Sequence, residues 1–138
     1  MTSRPIADGV FTDAPVPRLL AGRCEACEVV TFPRQGGCPR CTRRSVVDHW
    51  LPPAGVLWSW TIQRFAPKAP YRGPAEFVPY GVGYVELPGE CIVEGRLTTA
   101  DPDELWIGRP MELTLVVNHV DGDGADVMTY AFAPSGTR

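Results

Sequence analysis

Residues 24–41 read Cys24-Glu-Ala-Cys27-Glu-Val-Val-Thr-Phe-Pro33-Arg-Gln-Gly-Gly-Cys38-Pro-Arg-Cys41 and hold four of the five cysteines of the chain. The four form two Cys-x-x-Cys pairs, Cys24/Cys27 and Cys38/Cys41, with ten residues between them. A two-residue turn points both sulfurs of a pair inward, and backbone N–H groups support the thiolates. Two such knuckles complete the closed tetrahedral Cys₄ shell of structural zinc. Iron accepts the same ligands, and the sequence does not separate the two metals. A closed shell leaves no open position for water or substrate, so the role expected of the metal is structural. Between the knuckles, Val29 to Phe32 are β-branched or aromatic and predict a short strand. Pro33 ends it, and Gly36 and Gly37 turn the chain into Cys38.

Length and charge frame what surrounds this stretch. A chain of 138 residues has room for a metal-stapled module and a second unit of about 90 residues. No run approaches the ~20 apolar residues of a membrane span, and Met1 to Pro17 lacks the apolar core of a signal peptide. The expectation is therefore a cytoplasmic protein without membrane contact, in which reducing conditions keep the thiols available for metal. From Arg18 to Arg44 there are six Arg against Glu25 and Glu28; from Ser45 onward there are twelve acidic residues against six basic ones. Four thiolates and one divalent cation trim the surplus of the first part by about 2 charges. The larger part is acidic, which argues against a nucleic-acid partner, since duplex binders present a basic stripe.

The rest of the chain reads as β. Residues 1–17 are read as a Pro-rich arm lying on a partner or on the body of the protein, with a disordered tail as the alternative, 18–47 as the metal ribbon, and 48–138 as a barrel. Ser45 to Pro53 is read as the linker. From Gly55 the pattern has period two, with Val56, Trp58, Trp60 and Ile62 on one apolar face. Tyr80 to Leu87 and Cys91 to Leu97 form a hairpin about Pro88-Gly89-Glu90. Thr98 to Pro110 is rich in turn residues with room for one helical turn. Met111 to Asn118 alternates again, Asp121 to Gly124 is a turn, and Val127 to Phe132 is the last strand. Five short antiparallel strands escape open edges by closing on themselves. The fold expected is thus mainly β: an N-terminal zinc ribbon followed by a five-stranded OB-fold-like barrel, with an open β-sandwich as the alternative.

No catalytic set emerges from the residues. His49 and His119 are read as solvated, one in the linker and one at a strand end, and no Gly-x-Ser-x-Gly element is present. Cys91, in a predicted strand, reads as a small buried hydrophobe. Trp58 and Trp60 are placed on the core face or at a subunit interface, ahead of a base-stacking platform. Trp50 and Trp106, in turn-rich segments, are candidate interface anchors.

The ordered set Cys24-Glu-Ala-Cys27, Phe32-Pro33-Arg34, Cys38-Pro-Arg-Cys41, Gly55-Val-Leu-Trp-Ser-Trp-Thr61, Pro79-Tyr-Gly-Val-Gly-Tyr-Val-Glu-Leu87, Ile107-Gly-Arg-Pro-Met111 and Phe132-Ala-Pro134 resembles a known family. Its members are acyl-CoA-associated proteins with an N-terminal rubredoxin-like zinc ribbon and a C-terminal OB-fold, long catalogued as a domain of unknown function. The resemblance implies a non-catalytic accessory subunit of a hetero-oligomer. Its partner would be a thiolase, or a thiolase-like aldolase of steroid side-chain degradation, with the OB-fold helping to form the complex along the path of CoA. One departure is Thr42, where such proteins usually carry Gly. Against this background the acid-free stretch from Gln63 to Ala75 offers Arg64, Lys68, Tyr71 and Arg72 as CoA- or partner-binding residues, because a guanidinium fork pairs two phosphate oxygens. A solvated loop is the plain alternative. Two rival functions remain: a single-stranded nucleic-acid binder made of ribbon and OB-fold, and an independent acyl-CoA thioesterase.

Overall fold

The computed structural model describes residues 3–6, 10–12, 17–65 and 77–135. Ten strands and one 3₁₀ turn are found among them: β1 (Ser3–Pro5), β2 (Phe11–Thr12), β3 (Arg18–Cys24), β4 (Val30–Thr31), β5 (Val46–Trp50), β6 (Ala54–Gln63), β7 (Tyr80–Leu87), β8 (Cys91–Leu97), the 3₁₀ turn Pro102–Glu104, β9 (Pro110–Val120) and β10 (Asp126–Pro134). The last five strands close in the order β6-β7-β8-β10-β9 and back to β6, with β8 and β10 parallel and the other neighbours antiparallel. This is the closed Greek-key barrel expected of an OB-fold, and it leaves no open sandwich edge.

Period-two patterning explains the interior. Gly81, Gly83, Val85 and Leu87 of β7 face in, as do Val93, Gly95 and Leu97 of β8, while Tyr84, Glu86, Ile92 and Glu94 face out. Gly83 pairs with Gly95, and this missing bulk is filled from across the barrel. A Cβ on Gly95 would stand 3.0 Å from the rings of both Phe132 and Tyr130. Phe132 is fully buried there, a burial that contributes roughly 2–3 kcal/mol. The turn-rich segment after β8 holds its 3₁₀ turn where the composition allows one. Asp101 caps it by accepting from the Asp103 backbone N–H at 2.9 Å, and the buried Leu105 that follows joins the core.

Two expectations fail for the same reason: each depends on pairing between distant segments. The linker Ser45–Pro53 contains strand β5, which pairs with β3 from Leu20↔Trp50 to Cys24↔Val46. On β6, the face expected to be the core is broken by a bulge between Leu57 and Ser59. Leu57 is buried opposite Val85, Trp58 turns outward and is 54% exposed, and Trp60 then packs against the core. A bulge inserts one unpaired residue and so reverses the alternation beyond it.

The second sheet is built on β3, which pairs with β2, β4 and β5. Leu19, Ala21 and Leu51 from this side belong to one continuous core with Leu57, Val85, Leu87, Val93, Met111 and Phe132. Phe32, just after β4, meets Tyr130 of β10 edge to face at 5.6 Å. Tyr130 in turn donates its hydroxyl to the backbone carbonyl of Glu94 at 2.8 Å. That bond bridges β8 and β10 two residues before their ladder begins at Arg96↔Ala131.

Candidate metal centre

The two knuckles repeat one backbone design. Cys24 O accepts from Glu28 N at 2.8 Å, and Cys38 O accepts from Thr42 N at 2.9 Å. One residue later the pattern inverts, with Cys24 N donating to Val29 O and Cys38 N to Arg43 O at 3.0 and 2.8 Å. Glu28 and Thr42, each four residues after the first cysteine of its pair, have φ of 68° and 67°. That left-handed residue, just past the second cysteine, folds the following chain back onto the first, and it explains why glycine suits position 42. Thr42 adopts the conformation without being glycine, so its departure costs backbone strain and leaves the sulfurs in place.

The four Sγ atoms of Cys24, Cys27, Cys38 and Cys41 lie within 4.8 Å of one another. Cys24 and Cys41 approach to 3.6 Å and Cys27 and Cys38 to 3.5 Å. Tetrahedral ligation with bonds of about 2.3 Å sets sulfurs about 3.8 Å apart, so the cage has the size of a metal-thiolate site. Cys24 and Cys38 are buried, while Cys27 and Cys41 are half-buried. The Ser45 hydroxyl, 3.5 Å away, and the backbone N–H groups of Cys27 and Ala26 bring the Cys24 thiol down to about 6. The Cys41 backbone N–H, 3.4 Å from its sulfur, lowers Cys38. Cys27 goes the other way, to about 11: the Val29 backbone N–H favours its thiolate, but desolvation and the neighbouring sulfurs of Cys38, Cys24 and Cys41 outweigh it. Thiolate charge at some positions opposes charge at the next, and a bound cation relieves that conflict. The cluster suits a structural metal.

Of the four loop residues proposed for CoA or partner contact, Arg64 is exposed just past the end of β6. Lys68, Tyr71 and Arg72 lie outside the described residues. Near the root of that loop, the Arg96 guanidinium lies 4.4 Å above the Tyr80 ring. Together with Phe32, Pro33, Glu94 and Tyr130 these two line a cleft of about 520 Å³ between ribbon and barrel. Arg96 belongs to no motif of the sequence, and Tyr80 figures only within the Pro79–Leu87 motif, where nothing marks it as lining a cleft. His49 is likewise no solvated loop residue. It lies on β5 and its Nε2 stands 2.5 Å from Glu90 Oε2. Trp106 is covered by the Arg109 guanidinium at 4.4 Å, whereas Trp50 is 44% exposed on β5. Cys91 is half-buried and packs against the core. Among the described residues no helix is long and apolar enough to cross a membrane.

Comparison with known proteins follows the same division. Residues 11–47 match the family model described as the ChsH2 rubredoxin-like zinc ribbon domain, and residues 49–116 match the ChsH2 C-terminal OB-fold domain. A DUF35 domain-containing scaffold protein of Pyrococcus furiosus is 30% identical over 118 residues, covering 85% of this chain and 83% of that one. The benzoylsuccinyl-CoA thiolase subunit BbsA of Thauera aromatica is 28% identical over 120 residues, covering 87% and 78%. Among solved structures, the Ltp2-ChsH2(DUF35) aldolase superposes with a TM-score of 0.65 at 26% identity over 85% of this chain and 84% of that one. Ribbon and barrel thus recur in the same order in proteins of nearly the same extent, and the chain belongs to the DUF35 family of ChsH2-type zinc-ribbon and OB-fold proteins.

Proposed function

We propose that this chain is a non-catalytic accessory subunit that assembles with a thiolase-superfamily enzyme, a thiolase or a thiolase-like aldolase, and supports its acyl-CoA chemistry. The observation that carries the reading is the end-to-end likeness, ribbon and barrel together, to proteins described as a scaffold, as a thiolase subunit and as part of an aldolase. Within the complex, Cys24, Cys27, Cys38 and Cys41 hold zinc, for which the Sγ separations of 3.5 and 3.6 Å are suitable. The ion staples two knuckles that have little apolar surface of their own. Its binding energy is folding energy for the ribbon, whose Phe32 and Val30 pack against the core shared with the barrel.

The ribbon spans 18–47 and the barrel 48–138, with 1–17 as an arm. Arg64, Lys68, Tyr71 and Arg72 meet CoA or the partner, and the pathway is steroid side-chain degradation, as the family resemblance of the motifs implies. A cytoplasmic location is part of the reading, supported by a Cys₄ set that needs reducing conditions to stay available for metal. The test is co-expression with thiolase-superfamily enzymes of the same genome. A stable complex that raises the activity or solubility of the enzyme supports the reading. An enzyme fully active alone, with no co-purification, removes it.

A further inference from the structure

The outward face of the barrel carries a strip of large apolar side chains. Trp58, Tyr84 and Ile92 are 54%, 43% and 42% exposed and sit on the adjacent strands β6, β7 and β8. The Trp58 and Tyr84 rings meet edge to face with centroids 6.2 Å apart. Tyr84 pairs with Glu94, which makes Ile92 its diagonal neighbour on the same face. Ile107, 75% exposed, stands at the β6 end, on the turn whose Gly108 N–H donates to Leu57 O. The β6 bulge separates the two tryptophans: regular alternation after Leu57 would leave both Trp58 and Trp60 outside, and the extra residue turns Trp60 inward and leaves Trp58 on the strip. Isolated exposed apolar residues are ordinary, but contiguous aromatic ones mark contact surfaces, where Trp and Tyr are the usual anchors.

The charges beside the strip narrow its occupant. Glu86 and Glu94 are exposed on the same face, paired with Ile92 and Tyr84. Arg96, farther along β8, has its guanidinium over Tyr80. Acidic neighbours repel nucleic-acid phosphates and anionic lipid. A two-fold pairing of the strip with itself would bring the glutamates of two copies together, which opposes a homodimer. An apolar protein surface flanked by Lys or Arg complements it.

We infer that the Trp58–Tyr84–Ile92 strip, with Ile107 at its end, is the face that docks the thiolase-like enzyme through an apolar patch with a basic rim. The inference rests on the proposed function and adds the surface and the chemistry of the contact. The experiment measures affinity between the full chain and the thiolase-superfamily enzyme it co-purifies with, for the parent and for Trp58→Glu, Ile107→Glu, the double variant Glu86→Lys/Glu94→Lys, and Val47→Glu on β5 as a control away from the strip. Metal content and thermal midpoint are recorded for each. Trp58→Glu weakens binding by on the order of thirtyfold or more, as loss of an anchor does. Ile107→Glu weakens it less. The glutamate reversal weakens binding more at low than at high salt, and Val47→Glu leaves it unchanged.

If the parent binds and both Trp58→Glu and Ile107→Glu bind as tightly, the docking face is elsewhere and the proposed function stands. If the parent binds no such enzyme, both are overturned. If the parent sediments as a dimer that Trp58→Glu dissociates, the strip serves self-association and the inference fails.

Discussion

His49 Nε2 on β5 lies 2.5 Å from Glu90 Oε2 in the turn between β7 and β8, so one side-chain pair ties the ribbon sheet to the barrel hairpin. Both side chains are largely sheltered, at 28% and 23% exposure. Together with the shared core through Leu19, Ala21 and Leu51, and with Phe32 on Tyr130, this contact makes the ribbon part of one packed body. A surface on one module is therefore held in fixed relation to the other.

Breaking that pair tests the coupling. His49→Ala and Glu90→Ala are each expected to lower stability by about 1 kcal/mol, the usual net value of such a bond. The double variant should cost less than the sum of the two, giving a coupling energy of about 0.5 kcal/mol or more. Urea unfolding of the four proteins measures it, and strictly additive losses would mean that the contact carries no energy.

Metal removal should spread beyond the knuckles. Because Val30 and Phe32 pack against the core shared by ribbon and barrel, and Phe32 meets Tyr130 of β10, chelation or Cys38→Ser is expected to release the metal, lower the thermal midpoint of the whole chain and abolish complex formation. Metal analysis, near-UV circular dichroism and co-purification are the readouts. A metal-free Cys38→Ser protein that still forms the complex would separate the ribbon from partner binding.

Thr42 holds a left-handed φ of 67° while donating its hydroxyl to the Cys41 carbonyl at 2.6 Å. A non-glycine residue pays roughly 1–2 kcal/mol there, and glycine returns part of that gain through its looser unfolded state. Thr42→Gly is expected to stabilise the metal-bound protein by about 0.5 kcal/mol with unchanged metal content. A lower melting temperature would show that the hydroxyl bond outweighs the strain.

Cys91 supplies a pH dependence at the alkaline end. Desolvation first, and the charge of Glu90 second, raise its thiol from 9.0 to about 11. Below pH 9 the group is neutral in both the folded and unfolded chain and contributes no slope. Between about 9 and 11 the unfolded thiol ionises while the folded one resists, so stability falls as pH rises. Cys91→Ala should flatten that part of the profile in thermal melts. At pH 8 the native thiol should react slowly with iodoacetamide, and quickly after denaturation, as read by mass spectrometry. Fast labelling of the native protein would contradict the shift.

The sequence by itself determined everything that rests on short-range chemistry. Cys-x-x-Cys spacing brings two sulfurs together whatever surrounds them, period-two alternation marks β7 and β8, and Gly89 and Gly124 punctuate turns with φ of 77° and 84°. Five strands of that kind were enough to demand closure. Tertiary structure decided what depends on register between distant strands. It set Trp58 and Trp60 on opposite faces by a bulge fixed in the pairing with β7, made a strand of residues 46–50 by giving them β3 as a partner, and set His49 against Glu90 across 41 positions of chain. A one-residue shift in pairing exchanges the two faces of a strand, and nothing within β6 announces where that shift occurs. The knuckles were therefore legible in advance, while the outward strip beside Trp58 appears only once the barrel has closed.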